Sequence, residues 1–313
     1  MKLRIFYILT LLILLSACTS SKQKSTTFNL NLGVMSSMDY LPLAVAQKSG
    51  YFEEEGLKVT MHKFFSANDR DAAIQSGNLD GSILDYTGAA IQKAGGVDLY
   101  FTSQCDGTFE MIAGKHVNLS SNQNMKGKNF AVSRNTVIDF CTDMMLKNES
   151  IKESEIIKSE INKIPLRLEM LRNAKIDLTV LPDPFSTIAK SDGNTVVASL
   201  DDLDLHVTGI VFTKSAIANN KEAIKAFYRA YNKAIADLAS KPVSDFHDIL
   251  ISEAGFPEAL VSNVKLPNYR LATTPNANDL KAVSVWLKEK ELIPADFDIN
   301  SIVNEEFNPK LIN

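Results

Sequence analysis

Little in this chain of 313 residues resembles catalytic machinery. It holds three cysteines, four histidines and one tryptophan. Cys18, Cys105 and Cys141 lie far apart, and His62, His116, His206 and His247 are scattered without ligand spacing. A zinc or iron–sulfur site normally needs clustered ligands, so these residues read as isolated thiols and as surface or satisfied core histidines. No Gly-x-Ser-x-Gly, His-Glu-x-x-His, Gly-x-x-x-x-Gly-Lys or Gly-x-Gly-x-x-Gly pattern occurs. The common signatures of serine hydrolases, zinc proteases, and nucleotide and dinucleotide sites are therefore missing, and no cofactor or metal is expected. Basic charge is not in excess: 33 Lys and Arg face 37 Asp and Glu, for a formal net charge of −4. That argues against nucleic acid as a partner. Beyond the N-terminus no apolar run is long enough to span a bilayer. There are no internal repeats.

What is present begins at residue 1. Lys2 and Arg4 precede an apolar stretch over residues 5–15, too short and wrongly flanked for a membrane span. It runs into Leu15-Ser16-Ala17-Cys18, which resembles a bacterial lipoprotein signal. The resemblance implies removal of residues 1–17, lipidation at Cys18, a Ser/Thr/Lys-rich tether over 18–27, and an extracytoplasmic body held at the cell membrane. In that oxidising compartment Cys105 and Cys141 could form a disulfide or remain two buried thiols; sequence separation does not decide between them.

The rest of the chain alternates short strands and helices. Residues 28–34, 57–65, 81–84, 99–103, 129–132, 176–181, 195–199 and 209–213 read as strands. Residues 71–77, 87–94, 136–147, 166–174, 222–238 and 278–291 read as helices, the fifth long and amphipathic. In the fourth, Leu168, Leu171 and Ala174 share a face. Asn278 is the expected cap of the last. The alternation predicts an α/β fold with mostly parallel sheets. Two lobes are expected: the first from residues 28–105 together with 208–313, the second from 106–207 inserted between them, so that two crossings form a hinge. A length above 300 residues is consistent with two domains.

Several stretches carry a family resemblance. They are Pro42, Ala46, Gly50-Tyr51-Phe52, Gly56-Leu57 and Val59; Ser76-Gly77-Asn78-Leu79-Asp80-Gly81; Met125-Lys126-Gly127-Lys128; Leu181-Pro182-Asp183-Pro184-Phe185; and Gly209-Ile210-Val211-Phe212-Thr213 leading into a long helix. Their order and spacing over residues 28–240 resemble the solute-binding proteins of ABC importers, in the group serving nitrate, sulfonates, taurine and thiamine-pyrimidine precursors. The resemblance implies a two-lobed periplasmic binding protein fold of type II, with a ligand cleft between the lobes. It implies a small-molecule solute, ABC permease and ATPase subunits as partners, a membrane association through the lipid, and a monomer without catalytic residues.

Ligands of α/β sheets sit at the carboxyl ends of strands. That places Met38, Asp39 and Tyr40, Ser66 and Asn68, Asp85, Tyr86 and Thr87, Asp106, Arg134, Asn135 and Thr136, and Asp183 as candidate ligand-binding residues. For each, local turn or cap chemistry is the competing explanation. Asp39 is also the expected N-cap of the helix begun by Pro42, with Gly50 and Gly56 as stops. Glu53–Glu55 read as a solvated face, and Tyr51-Phe52 as core.

Asp39, Asp85, Asp106 and Asp183 at predicted cleft positions, against Arg134 as the one obvious base, favour a neutral or cationic nitrogenous ligand. Tyr40 and Tyr86 could stack on a flat ring. An aminopyrimidine or another vitamin precursor fits. Thiamine-precursor members usually carry Asp-Trp-x-Pro-Asn in the first loop, where this chain has Asp39-Tyr40-Leu41-Pro42-Leu43. The alternatives are an anion held by helix N-termini and Arg134, an enzyme like the fungal pyrimidine synthases, which use a Cys-rich iron site that this chain lacks, and a lipoprotein whose cleft has become a sensory or adhesive surface.

Overall fold

A computed structural model describes residues 28–307; the expected signal segment at 1–17, the expected lipidation at Cys18 and the expected tether at 18–27 lie outside the described residues. The chain forms two five-stranded sheets. The first runs β2 (Leu57–Phe64), β1 (Phe28–Met35), β3 (Gly81–Asp85), β10 (Thr208–Thr213), β4 (Leu99–Gln104). The second runs β7 (Ile157–Glu160), β6 (Asn129–Val132), β8 (Leu178–Pro182), β5 (Phe109–Ala113), β9 (Thr195–Ser199). Helices flank both, giving the two-lobed α/β architecture expected.

The sheets are mixed rather than mostly parallel. β1 pairs parallel with β2 and β3, whereas β10 runs antiparallel to both β3 and β4. Likewise β6 is parallel to β7 and β8, and β5 is antiparallel to β8 and β9. Each sheet thus contains one reversed strand, supplied in both cases just after the chain changes lobe. The inner strands β3 and β8 are buried along their whole length, as strands covered on both faces must be. β2 buries Leu57 and Val59 and exposes Lys58 and Thr60, the alternation of a strand with one wet face.

The stretch after β1 turns twice. Pro42 sits in the first turn of the helix Leu41–Lys48, where its missing N–H costs nothing. Gly50 and Gly56 take φ of 77° and 74°, conformations that would strain a side chain, and return the chain to β2. Between them Phe52 stacks on Phe227, with ring centroids 5.5 Å apart. Glu54 and Glu55 pair with Lys233 and Arg229 on the helix Lys221–Ser240. That helix buries Ala223, Phe227, Ala230, Tyr231, Ala234 and Leu238 on one face. Burying each large apolar side chain contributes roughly 1.5–3 kcal/mol, so this docking holds the first lobe's outer layer.

Two local expectations change, and one open alternative is decided. The helix predicted over 166–174 runs Ile164–Arg172, and Ala174 lies beyond it with φ of 51°. The helix Ala277–Glu289 is capped by Asn276, whose side chain accepts from the Asn278 N–H, rather than by Asn278. Cys105 and Cys141 are buried free thiols rather than a disulfide.

The chain crosses between the sheets after β4 and before β10. The first crossing is tied to the first lobe: Arg270 donates from Nε and its backbone N–H to Asp106 at 2.7 and 2.8 Å, and the Gln104 N–H donates to the Thr273 carbonyl at 2.7 Å. A second junction is made by side chains. Trp286 of the helix Ala277–Glu289 meets Phe140 edge to face at 5.6 Å and donates from Nε1 to Asp143 Oδ2 at 2.9 Å. Phe140 and Asp143 belong to the helix Val137–Asn148 that follows β6.

Candidate functional site

A cavity of about 50 Å³ lies between the sheets, its wall drawn equally from both lobes. A single water needs about 10–15 Å³ by the same kind of measure, so a small organic molecule in an otherwise closed cleft is the natural scale. The wall comes from strand ends, as the α/β rule requires: Met35, Ser36 and Ser37 after β1, Ile83 and Asp85 on β3, Ser133 and Thr136 after β6, Asn162 and Ile164 after β7, and Pro182 on β8. Phe109, Ile83, Val137, Ile138 and Ile164 make most of it apolar.

Its ionisable groups are Asp39, Arg70, Asp85 and Arg167. Asp39 is 4% exposed. It does not cap the helix Leu41–Lys48, which has Tyr40 at its N-cap position and no side-chain cap. Its Oδ1 instead accepts the N–H of Gly107 at 2.6 Å, reaching the first crossing between lobes. A Cβ at Gly107 would fall 2.5 Å from that oxygen, so only glycine allows the approach. Burial pushes the Asp39 carboxyl up to about 6, against the lowering influence of the Gly107 N–H and Thr208.

Asp85 is neutralised. Arg70 Nη2 lies 2.8 Å from Asp85 Oδ2 and 2.8 Å from Asp71 Oδ1, and Nη1 donates to the Ile83 carbonyl at 3.4 Å. Asp85 also caps the helix Tyr86–Ala94, accepting the Gly88 N–H at 2.8 Å, and takes the Thr87 hydroxyl. Burial disfavours its charge, but Arg70 and these donors outweigh burial and hold the carboxyl below its ordinary range.

Arg167 is different. It is fully buried on the helix Ile164–Arg172 of the second lobe. Nη1 donates to the Ile161 carbonyl at 2.9 Å and reaches the Asn162 carbonyl at 3.5 Å. Nε and Nη2 have no partner among the described residues. Burial alone pulls the guanidinium down to about 9, which leaves it charged at neutral pH.

Of the residues singled out from sequence, Asp39, Asp85 and Thr136 line this cavity. Asn68, Arg134 and Asn135 line a neighbouring groove that shares Asp85 and Thr136 with it, and Arg134 donates to the Lys158 carbonyl at 3.2 Å. Met38, Asp106 and Asp183 face another depression by the crossing. There Asp106 is held by Arg270, and Asp183 accepts the Ser186 hydroxyl at 2.5 Å and the Thr187 N–H at 2.9 Å. The Tyr40 hydroxyl bonds Glu253 at 3.0 Å on the outer side of the first lobe, and Tyr86 packs edge to face on Phe101 at 4.8 Å within the core, so neither ring faces the cavity. Ser66 caps the helix Ala67–Gln75, and the buried Thr87 hydroxyl is spent on Asp85.

The charge balance inferred from sequence therefore shifts. Asp85 and Asp106 are paired with arginines, Asp183 is bonded within its own turn, and the bases at the cavity are Arg70 and Arg167 in place of Arg134. Only Asp39 remains as an unbalanced carboxylate. Sequence reading missed Arg70 and Arg167. A signal for the second existed: Ile164, Arg167, Leu168 and Leu171 share one helix face, so Arg167 sits in an apolar stripe.

Two lobes joined by two crossings, with a cavity closed between strand ends, define the periplasmic binding protein fold of type II. Residues 37–244 match the model of the NMT1/THI5-like family, and the chain belongs to that family. Solved structures share the fold. The ligand-binding component of an ABC-type import system from Staphylococcus aureus, determined with zinc bound, superposes with a TM-score of 0.77 at 17% identity, over 90% of this chain and 98% of that one. The periplasmic aliphatic sulphonate binding protein SsuA from Escherichia coli gives 0.74 at 15% identity, over 90% and 98%. The periplasmic nitrate-binding protein NrtA from Synechocystis gives 0.73 at 12%, over 90% and 87%. A comparison with curated proteins by sequence finds no match.

Proposed function

We propose that this chain is the extracytoplasmic solute-binding component of an ABC importer, lipid-anchored through Cys18, which closes its lobes around a small nitrogen-bearing organic solute and delivers it to a permease. The observation that carries the reading is the cavity shared by both lobes with Asp39 in its wall. A buried carboxylate held by the Gly107 N–H, with Thr208 beside it, keeps acceptor capacity on its two oxygens for a donor from a ligand. An N–H or ammonium group on the solute supplies that donor; an aminopyrimidine or another vitamin-like compound is the class to try first. The import component, the sulphonate binder and the nitrate binder of the same fold support binding rather than catalysis as the role. Asp39 bonds the crossing as well as facing the cavity, so occupancy and lobe geometry are linked at one side chain.

Thermal unfolding of the purified chain tests this, using aminopyrimidines, thiamine, taurine, an alkanesulfonate and nitrate. A solute at a hundredfold its dissociation constant adds about 2.7 kcal/mol, a shift of several degrees for a chain of this size. Stabilisation by a nitrogen-bearing compound, with the compound recovered unchanged, is the expected result. Stabilisation by nitrate or a nitrogen-free sulfonate alone would overturn the role given to Asp39. Turnover of the compound would replace binding by catalysis.

A further inference from the structure

We infer that Lys290 is a latch between the lobes: it completes an acid-rich nest on the second lobe and so holds the empty chain toward its closed arrangement, which makes ionic strength, as well as solute, a control on opening. This rests on the solute-binding reading above and adds a regulation of the same cleft from outside it. The nest belongs to the second lobe. The Lys158 side chain on β7 is 3% exposed, and its Nζ lies 2.6 Å from Asp139, 2.6 Å from Asp143 and 2.8 Å from Glu153. Asp139 and Asp143 sit on the helix Val137–Asn148, and Glu153 follows it. Three carboxylates around one ammonium leave two negative charges in excess, which repel in a partly buried site. The first lobe supplies the second cation. The helix Ala277–Glu289 packs on the helix Tyr86–Ala94, and Lys290 stands at its C-terminal end, where a positive charge is favoured. Lys290 Nζ lies 3.1 Å from Asp143 Oδ2 and also pairs with Glu153. Burial works against its charge, but Glu153 and Asp143 outweigh burial and hold the ammonium above its ordinary range. Trp286, one turn earlier, donates to the same Asp143 oxygen. None of these residues lines the cavity. The pairs coexist with the contact at the cleft mouth, where the Ile164 N–H meets the Phe65 carbonyl at 3.3 Å. That contact is a long bond between neutral groups, whereas the pairs to Lys290 are charge-assisted and stronger. An opening rotation carries the nest away from Lys290 and uncovers its excess charge. With Lys290 27% and Glu153 42% exposed, the pairs are within reach of salt.

The test uses the full chain, empty of solute, with Cys18→Ser and spin labels on Lys58→Cys and Lys175→Cys. These are exposed lysines near the amino ends of β2 and β8, away from the strand ends that form the cavity. Cys105 and Cys141 are buried and stay unlabelled. Double electron–electron resonance gives the distribution of distances between the labels. In low salt the parent chain should be mostly closed. Lys290→Gln should raise the ratio of open to closed about 3- to 30-fold, between the effect of an exposed ion pair and that of a buried charge-assisted bond. Lys290→Arg should largely restore the parent distribution. Raising NaCl from about 0.05 M to about 0.5 M shortens the screening length about threefold; it should open the parent chain and leave Lys290→Gln nearly unchanged. Lys233→Gln, whose pairs to Glu54 and Glu55 lie within the first lobe, should leave the distances as they are. A distribution that Lys290→Gln does not move, one that Lys233→Gln moves equally, or a parent chain already open in low salt overturns the latch. A loss of urea stability in Lys290→Gln without a change of distance marks a structural contact only and likewise overturns it. The measurement needs no solute, so its failure leaves the solute-binding reading standing, whereas failure of every compound in the thermal panel removes that reading and not this result.

Discussion

Asp39 gives the account its sharpest quantitative consequence. In an unfolded chain a carboxyl of this type titrates near about 3.9; in the cavity it is raised to about 6. The native state therefore holds a proton that the unfolded state has lost over the window between those values. Stability rises with pH only where the unfolded state binds more protons, so here it falls as pH rises. The protonated form carries no penalty below pH 4, and the full penalty is reached above pH 6. Two units at 1.36 kcal/mol each amount to about 3 kcal/mol. Asp39→Asn cannot ionise and lacks this dependence. The difference in unfolding free energy between wild type and Asp39→Asn, measured by urea titration of the empty chains at pH 4 and pH 7, should move by about 2 kcal/mol against the wild type, the first part of the penalty having already accrued at pH 4. Taking that difference cancels the other carboxylates. A gap that stays constant across the range would refute the burial argument and with it the acceptor role of Asp39.

Three further outcomes follow from neighbouring contacts. Gly107→Ala places a Cβ against Asp39 Oδ1; it should cost about 1–3 kcal/mol and weaken solute binding, measured by urea unfolding and titration. Arg70→Gln leaves Asp85 buried without its counter-ion, although Thr87 and Gly88 still donate to it; a loss of about 3 kcal/mol is expected by thermal or urea unfolding, with the largest effect above the carboxylate range. Trp286 is the single tryptophan and bridges the lobes through Phe140 and Asp143; its emission should shift on solute binding, and Asp143→Asn should shift it without solute.

Much of the framework is legible in the sequence because it rests on local periodicity. The strand at Asn129–Val132 and the strand at Thr195–Ser199 match their predicted limits, and the long amphipathic helix differs by one or two residues at its ends. The missed strands have physical reasons. β7, Ile-Lys-Ser-Glu, buries none of its residues fully and carries no apolar run. β5, Phe-Glu-Met-Ile-Ala, is short and begins just past the crossing. The direction of β5 and β10 is not encoded in alternation at all, since parallel and antiparallel strands share the same period of two. The site is less legible for the same reason. Asp39 reads as a helix cap, and its actual partner lies 68 residues away in Gly107. Asp183 reads as a cleft residue from its place after a strand, but its own turn consumes it.

The central claim is that the two lobes open to admit a solute and close over it. The Ile164 N–H donates to the Phe65 carbonyl at 3.3 Å across the cleft, so the two backbones approach closely in the closed form. Cysteines introduced as Phe65→Cys and Ile164→Cys place a thiol on each of these two backbones, and formation of the disulfide is verified by loss of free thiol before binding is measured. The double variant, oxidised without solute and titrated with the compound that stabilises its reduced form, is the most direct measurement. The account predicts no binding while the bond holds and full recovery on reduction. Equal binding before and after reduction would show that the solute does not enter between the lobes, and would contradict the account.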